Sequence, residues 1–471
     1  MSALDRVTGQ KVAIKQMKDV FRGISDATRV YREMNILRNL RQSKMIVRLL
    51  DVICPNALAQ DGREVADSLQ GLGEIYLVFE FMDTDLKKIL ESPQYIDREK
   101  IKYIMYQLLC GLKYIHSANV IHRDLKPANI LINCIDCSLK IADFGLSRVV
   151  DPQVISRSYN TEQPLIPPSL SCHDDLHRPD ARMDEVDHSA LTCGDASSDM
   201  DISDDHNYNS FTATTVSEAA GCGGITFGSV SPARLSRTYT KHVVTRYYRA
   251  PEIILTQPYN SSIDVWSAGH SLTHSLTHSL THSPTHSLTH SLTSGCIFAE
   301  LLFMLRENVS DFNSRRCLFP GSHCSPLSPG AFFAKQKPSQ LEIIFDVIGS
   351  PSPDELHGLD EASTNFISSL QTKVGKNLTD VFPGSTPDEL SLLKSMLLFN
   401  SSNRITVDDA LQHPYFSSVR RATSELEAEC TSPMSILLES IDEDVTNLFE
   451  SVIDEIYFYH QQDSPVDDDS L

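Results

Sequence analysis

His122-Arg123-Asp124-Leu125-Lys126-Pro127-Ala128-Asn129 places a carboxylate, an amine and an amide close together, and Asp143-Phe144-Gly145 begins fourteen residues after that Asn. Just upstream, Ile101, Ile104, Met105, Leu108, Leu109, Leu112 and Ile115 recur at helical spacing. A core-facing helix should therefore run straight into the polar stretch. His-Arg-Asp alone decides little, because three common residues coincide often. Two outlying stretches add weight. Val12-Ala13-Ile14-Lys15 reads as a strand with Ala13 and Lys15 on one face, and Arg249-Ala250-Pro251-Glu252 lies far downstream.

The bulk composition narrows the class. The chain has 471 residues, with 41 Lys and Arg against 62 Asp and Glu, for a net charge of −21. That balance argues against a nucleic-acid binder and suits basic peptide partners, although a solvated acidic surface explains it as well. Of the 11 cysteines, Cys134 and Cys137 form the close pair, and a second such pair to complete a zinc site is lacking. Free thiols in a reducing compartment are expected. There is no apolar run of membrane-spanning length, and Met1–Lys15 has no signal-peptide core. An intracellular protein of cytoplasm or nucleus, without membrane partners, is the expectation.

The four stretches, in this order and spacing, resemble the signature set of eukaryotic protein kinases: V-A-I-K, H-R-D-L-x-x-x-N, D-F-G and A-P-E. The resemblance implies an α+β, two-lobed fold with a small β-rich N-lobe and a large helical C-lobe. It also implies ATP and Mg²⁺ as cofactors. Phosphoryl transfer needs positioned charge more than covalent chemistry. On the family pattern Asp124 orients the incoming hydroxyl, Lys126 offsets charge on the transferred group, and Asn129 and Asp143 hold Mg²⁺. Lys15 contacts the nucleotide phosphates and is oriented by Glu33, which falls mid-helix between Arg29 and Leu37 at four-residue steps. The apolar run Ile75–Met82 corresponds to the strand and hinge between lobes. Ala13, Phe79 and Leu131 would then line the adenine, with backbone groups of Glu80 and Met82 bonding to it.

Domain limits follow from composition. Residues 1–82 read as an N-lobe lacking its Gly-rich loop, 83–416 as the C-lobe, and 417–471 as an extension with an apolar helical stripe. That stripe comprises Leu448, Phe449, Val452, Ile453, Ile456 and Tyr457. Two inserts interrupt the C-lobe. Residues 150–234 are rich in Ser, Asp, His, Pro and Gly, a composition expected to be disordered. Residues 270–295 repeat Ser-Leu-Thr-His with one Pro, a low-complexity pattern matching translated TCAC units.

Joining across the second insert, Asp264-Val265-Trp266-Ser267-Ala268-Gly269 continues into Cys296-Ile297-Phe298-Ala299-Glu300. This is similar to a segment of the cyclin-dependent and mitogen-activated kinase group, as is Thr245-Arg246-Tyr247-Tyr248-Arg249-Ala250-Pro251-Glu252. Residues 351–386 resemble the extra C-lobe segment of the mitogen-activated type, which is the type favoured. The likeness implies an enzyme phosphorylating Ser or Thr before Pro through Arg246 and Arg249, within a signalling cascade headed by an upstream kinase. Arg404 would pair with Glu252.

The chain departs from that pattern at three places. The Gly-rich loop is missing, a polar repeat interrupts the helix after Trp266, and the paired Thr-x-Tyr site reads Thr240-Lys241-His242. Thr240 alone is then the expected phosphosite, faced by Arg29, Arg123 and Arg148. A catalytically weak scaffold stays open as the alternative. Asp442, Glu443 and Asp444 suit basic docking peptides, and a solvated helix start explains them equally well.

Overall fold

The computed structural model describes residues 1–57, 72–150, 246–269, 296–315, 319–321, 324, 338–428 and 445–461. The 270–295 repeat, Thr240, the Asp442–Asp444 cluster and all of the 150–234 insert but Val150 lie outside these residues.

The strand-rich part begins with β1 (Ser2–Leu4), β2 (Lys11–Met17), β3 (Leu49–Ile53) and β4 (Ile75–Glu80), an antiparallel sheet in the order β1-β2-β4-β3. Ala13 pairs with Phe79 and Lys15 with Leu77. This register sets Lys15 two residues beyond Ala13, on the same face of β2. Helix α1 (Ile24–Asn39) follows β2 and buries Ala27, Val30, Met34, Ile36 and Leu37. Glu33 lies on the same helix and is itself buried.

After the two-residue strand β5 (Thr84–Asp85), helix α2 (Leu86–Glu91) is capped by Asp85, which accepts the Lys88 N–H. Helix α3 (Arg98–Ser117) starts at Asp97, whose carboxylate accepts the Lys100 N–H at 2.9 Å. All seven apolar positions of its expected stripe are buried. Gly111 allows a close approach here, because a Cβ at that position would stand 2.8 Å from Ile141 Cδ1.

Short strands then carry the polar stretch. They are β6 (Val120–Ile121), β7 (Ile130–Ile132), β8 (Leu139–Ile141) and β9 (Arg148–Val149), with β5-β7-β8 in one sheet and β6-β9 in another. The β7–β8 hairpin matters most. Asn129 immediately precedes its first strand and Asp143 follows its second by two residues, and the Ala142 N–H donates to Asn129 O at 2.9 Å.

The rest is helical: α4 (Pro251–Ile254), α5 (Ser262–Gly269), α6 (Ile297–Leu302), α7 (Gln340–Ile348), α8 (Glu361–Ser369), α9 (Leu378–Val381), α10 (Pro387–Met396) and α11 (Val407–Gln412). Trp266 on α5 is fully buried and stacks on Phe319 at 6.0 Å between ring centres. A Cβ on Gly269 would meet Met396 Cβ at 2.5 Å, so α5 and α10 touch through that glycine. Arg404 forms a two-pronged pair with Glu252, at 2.7 and 3.0 Å, and also donates to Ser262 O and Leu398 O.

Helix α12 (Val445–Gln461) returns to the strand-rich part and packs on α1 and β3. Its buried stripe is Leu448, Val452, Ile456 and Tyr459. Tyr457 is not part of it and is exposed. One residue past Ile456 turns the side chain about 100° around the helix, whereas three residues bring Tyr459 back to the buried side. Tyr459 Oη donates to Met34 O at 3.1 Å, and the buried Glu455 accepts from Asn35 Nδ2 at 2.8 Å. Among the described residues no helix is long and apolar enough to cross a membrane.

Candidate active site

Lys15 marks the site. Its Nζ donates to both carboxylate oxygens of Glu33, at 2.9 and 3.0 Å, and to Asp143 Oδ1 at 3.3 Å. Three elements therefore converge on one amine: β2, α1 and the turn after β8. Burial works against the Lys15 charge, but the two carboxylates outweigh it and hold its pKa above the ordinary value. Glu33 is more deeply enclosed, and burial pushes its pKa up against the pull of Lys15. Burial would likewise raise Asp143, yet Lys15 beside it leaves that carboxyl below its ordinary value.

Asp143 sits at φ 68°, in the left-handed region that non-glycine residues rarely adopt. Arg123 does the same at φ 66°. Such backbone persists only where surroundings over-determine it, and it clusters at functional sites. For Arg123 the surroundings are explicit. Its N–H donates to Asp264 Oδ1 at 2.9 Å, its Nε to Leu146 O at 2.7 Å, and its Nη1 to the Tyr259 hydroxyl at 2.9 Å.

Asp264 is the centre of this arrangement. Its Oδ2 accepts the His122 N–H at 2.8 Å and lies 3.0 Å from His116 Nε2. Burial would raise the Asp264 pKa, and the His116 ring together with the Arg123 N–H reverses that, leaving it depressed. His122 closes the loop from inside. Its Nδ1 accepts the Asp124 N–H at 3.3 Å while Nε2 faces Ala142 O at 3.1 Å, a pattern that assigns the proton to Nε2. Phe144 packs against the ring at 5.0 Å in an edge-to-face arrangement.

Asp124, Lys126 and Asn129 come together as the sequence pattern implied. Lys126 Nζ is 2.5 Å from Asp124 Oδ2, and Asn129 Nδ2 donates to Asp124 O at 2.9 Å and to Asp124 Oδ2 at 3.3 Å. With its amino group turned to Asp124, Asn129 has an amide oxygen left for a cation. Asp143 supplies a carboxylate. Two hard oxygen donors fit Mg²⁺, which binds through few protein ligands and keeps waters and phosphates. Among the described residues no cluster of three or more His, Cys, Asp or Glu forms a competing metal cage.

On the nucleotide side, Ala13 and Phe79 are cross-strand partners, and Leu131 lies on β7, beside β5. The Glu80 N–H is donated to Arg48 O at 3.1 Å, so the adenine contact expected of Glu80 would fall to its carbonyl. The Glu80 side chain accepts the Arg48 N–H and pairs with Lys140, while Met82 follows β4 and is half-buried.

The regulatory set is only partly assembled. Burial and the nearby Arg148 charge both depress the Arg123 pKa, which makes these two cations neighbours. Arg29 is on the outer face of α1 and pairs with Asp26 at 3.5 Å. Only the backbone of Arg246 is described, in a 3-10 turn with Tyr247 and Tyr248; Arg249 follows that turn.

Sequence reasoning missed Asp264, His116 and Tyr259 as parts of the site. One signal was present: Asp264 is the single charge in Ser262–Gly269, an otherwise largely apolar helix.

Comparison with known proteins agrees with this geometry. The protein kinase domain family matches residues 1–172 and 225–416. Extracellular signal-regulated kinase 1 of Dictyostelium discoideum is 30% identical over 464 residues, covering 98% of this chain but 60% of that protein. Mitogen-activated protein kinase 7 of Arabidopsis thaliana is 30% identical over 98% of this chain and 86% of its own length. The mitogen-activated protein kinase homolog NTF3 of Nicotiana tabacum is 31% identical, covering 88% of this chain and 73% of that protein.

Proposed function

Since this chain belongs to the protein kinase family and, within it, to the mitogen-activated protein kinases, we propose that it transfers the γ-phosphoryl group of ATP to Ser or Thr followed by Pro in protein substrates. The observation that carries the reading is Lys15 Nζ held between Glu33 and Asp143. An amine fixed in this way presents its positive charge to nucleotide phosphates without reorganising first.

Asp124 accepts the proton of the substrate hydroxyl and orients its oxygen for attack. Lys126, whose Nζ is 2.5 Å from that carboxylate, offsets charge on the transferred group. Asn129 and Asp143 would hold Mg²⁺, which neutralises phosphate charge when bound. Asp264 keeps the loop in register by accepting the backbone N–H groups of His122 and Arg123. Arg246 and Arg249 would shape the site that prefers Pro after the phosphoacceptor.

Control is proposed to lie in one phosphate on Thr240, added by an upstream kinase. The supporting observation is the adjacency of Arg123 and Arg148, two like charges that an anion between them would stabilise. Basic docking peptides at Asp442, Glu443 and Asp444, and action in cytoplasm or nucleus, complete the proposal.

The test is an ATP titration with and without Mg²⁺, run beside phosphorylation of peptides differing only in Pro or Ala after the acceptor Ser. Binding that Mg²⁺ strengthens, with transfer confined to the Ser-Pro peptide, is the expected result. Binding without transfer to any peptide, after treatment with an activating kinase, would show a scaffold instead.

A further inference from the structure

Six cysteines lie among the described residues, and Cys54, Cys110, Cys296 and Cys324 are buried. The two that are not buried, Cys134 and Cys137, stand three positions apart in the turn that closes the β7–β8 hairpin. The Cys137 N–H donates to Asn133 O at 3.0 Å, so residues 133–137 form a single helical-type turn. Across such a turn, Cα atoms three residues apart lie within about 7 Å. A disulfide spans Cα separations of about 4.4–6.8 Å.

The turn is fixed by groups other than the thiols. Asn133 Oδ1 accepts the Ile135 N–H at 2.8 Å and Asp136 Oδ1 accepts the Ser138 N–H at 2.9 Å. The Cys134 N–H donates to Asp83 Oδ2 at 2.9 Å, and Gln107 Nε2 donates to Cys137 O at 2.9 Å. Both backbones are thus held close together while the side chains stay reachable. Cys137 is at φ 57°, a conformation imposed by the turn itself.

We propose that Cys134 and Cys137 are a reversible dithiol–disulfide pair, a redox modification site at the tip of the hairpin that connects Asn129 to Asp143. With a peroxide as oxidant, one thiolate attacks a peroxide oxygen, giving a sulfenic acid and, after protonation, one water. The second thiol then attacks that sulfur, forming the S–S bond and releasing a second water. Two thiols lose two electrons and the peroxide gains them. Glutathione disulfide reaches the same product by two exchange steps that release two glutathione thiols.

The test uses the intact folded chain, equilibrated in glutathione buffers from fully reduced to fully oxidised, quenched in acid, alkylated and cut with trypsin. Cleavage after Arg123 and Lys140, with Lys126 protected by Pro127, gives a peptide holding these two cysteines and no other. The expected result is one two-electron transition from a doubly alkylated peptide to one with no alkyl groups, lighter than the free dithiol by two hydrogens. Dithiothreitol should reverse it, and Cys134→Ser and Cys137→Ser should each abolish it. Thiols alkylated across the whole range, single glutathione adducts in place of the internal bond, or a disulfide seen only after heat unfolding would each overturn the proposal.

Discussion

Asp264 fixes Arg123 through the backbone. Its Oδ1 takes the Arg123 N–H at 2.9 Å, across 141 residues of sequence, and holds that residue at φ 66° immediately before Asp124. The conformation of the loop thus rests on a buried carboxylate in a different element. Asp264→Asn must turn an amide N–H toward one of two backbone donors, His122 or Arg123. A loss of about 1–3 kcal/mol in stability is expected from one unsatisfied buried donor. Turnover should fall roughly tenfold or more from misplacing Asp124, with KM for ATP little changed. Steady-state kinetics beside denaturant unfolding checks both.

The same carboxylate sets an acid limit. Burial alone would raise its pKa, but His116 and the Arg123 N–H depress it below the unfolded value. A depressed acid contributes stability above its unfolded pKa of about 3.9 and loses it as pH falls through the folded value. Melting temperature should therefore drop below pH about 4, and less steeply in Asp264→Asn. Parallel slopes for the two proteins would show that other carboxylates carry the effect.

Lys15→Met and Asp143→Asn are each expected to lower phosphoryl transfer by roughly a hundredfold or more while leaving the fold intact. One removes the amine held by Glu33, the other a carboxylate placed for the metal. Transfer within about twofold of the parent in either variant would remove these residues from the mechanism.

Arg404 and Glu252 provide a test of the packing rather than of the chemistry. Their pair is buried and two-pronged, and Arg404→Met strands a carboxylate indoors at a cost of about 3–5 kcal/mol. Adding Glu252→Gln should recover part of that loss. A double-mutant cycle with no coupling energy would contradict the pairing.

Thr240→Ala is expected to prevent stimulation by an upstream kinase while leaving basal turnover in place. Phosphosite mapping of stimulated protein should find Thr240 and no partner site at His242. Full stimulation of the Ala variant would point to a different activation route.

Much of the site was legible because its chemistry lies in short contiguous runs. Asp124, Lys126 and Asn129 are neighbours in sequence, and they are neighbours in space because a 3-10 turn at Pro127–Asn129 folds the stretch back on itself. Lys15 and Glu33 were found through the family resemblance, and the strand and helix periods only placed them on their elements. What stayed hidden depends on distant packing. No local pattern links Asp264 to His122 or Tyr259 to Arg123, because those contacts arise where α5 and the loop before it meet residues 122–123. The C-terminal stripe was misread at one residue. Tyr457 and Tyr459 are chemically alike, and the turn of about 100° per residue past the buried Ile456 sets Tyr459, not Tyr457, on the buried side.

That meeting bears on how the polypeptide is made. Helix α1 emerges from the ribosome long before α12, yet the surface that covers Met34, Asn35 and Arg38 belongs to residues 445–461. Vectorial folding, in which an N-terminal unit matures while the remainder is still being synthesised, cannot complete here. Until residues 445–461 have been synthesised, Asn35 and Arg38 of α1 lack the Glu455 carboxylate that pairs with them. Nascent chains stalled before residue 445 should therefore engage chaperones through α1, and release should coincide with arrival of α12.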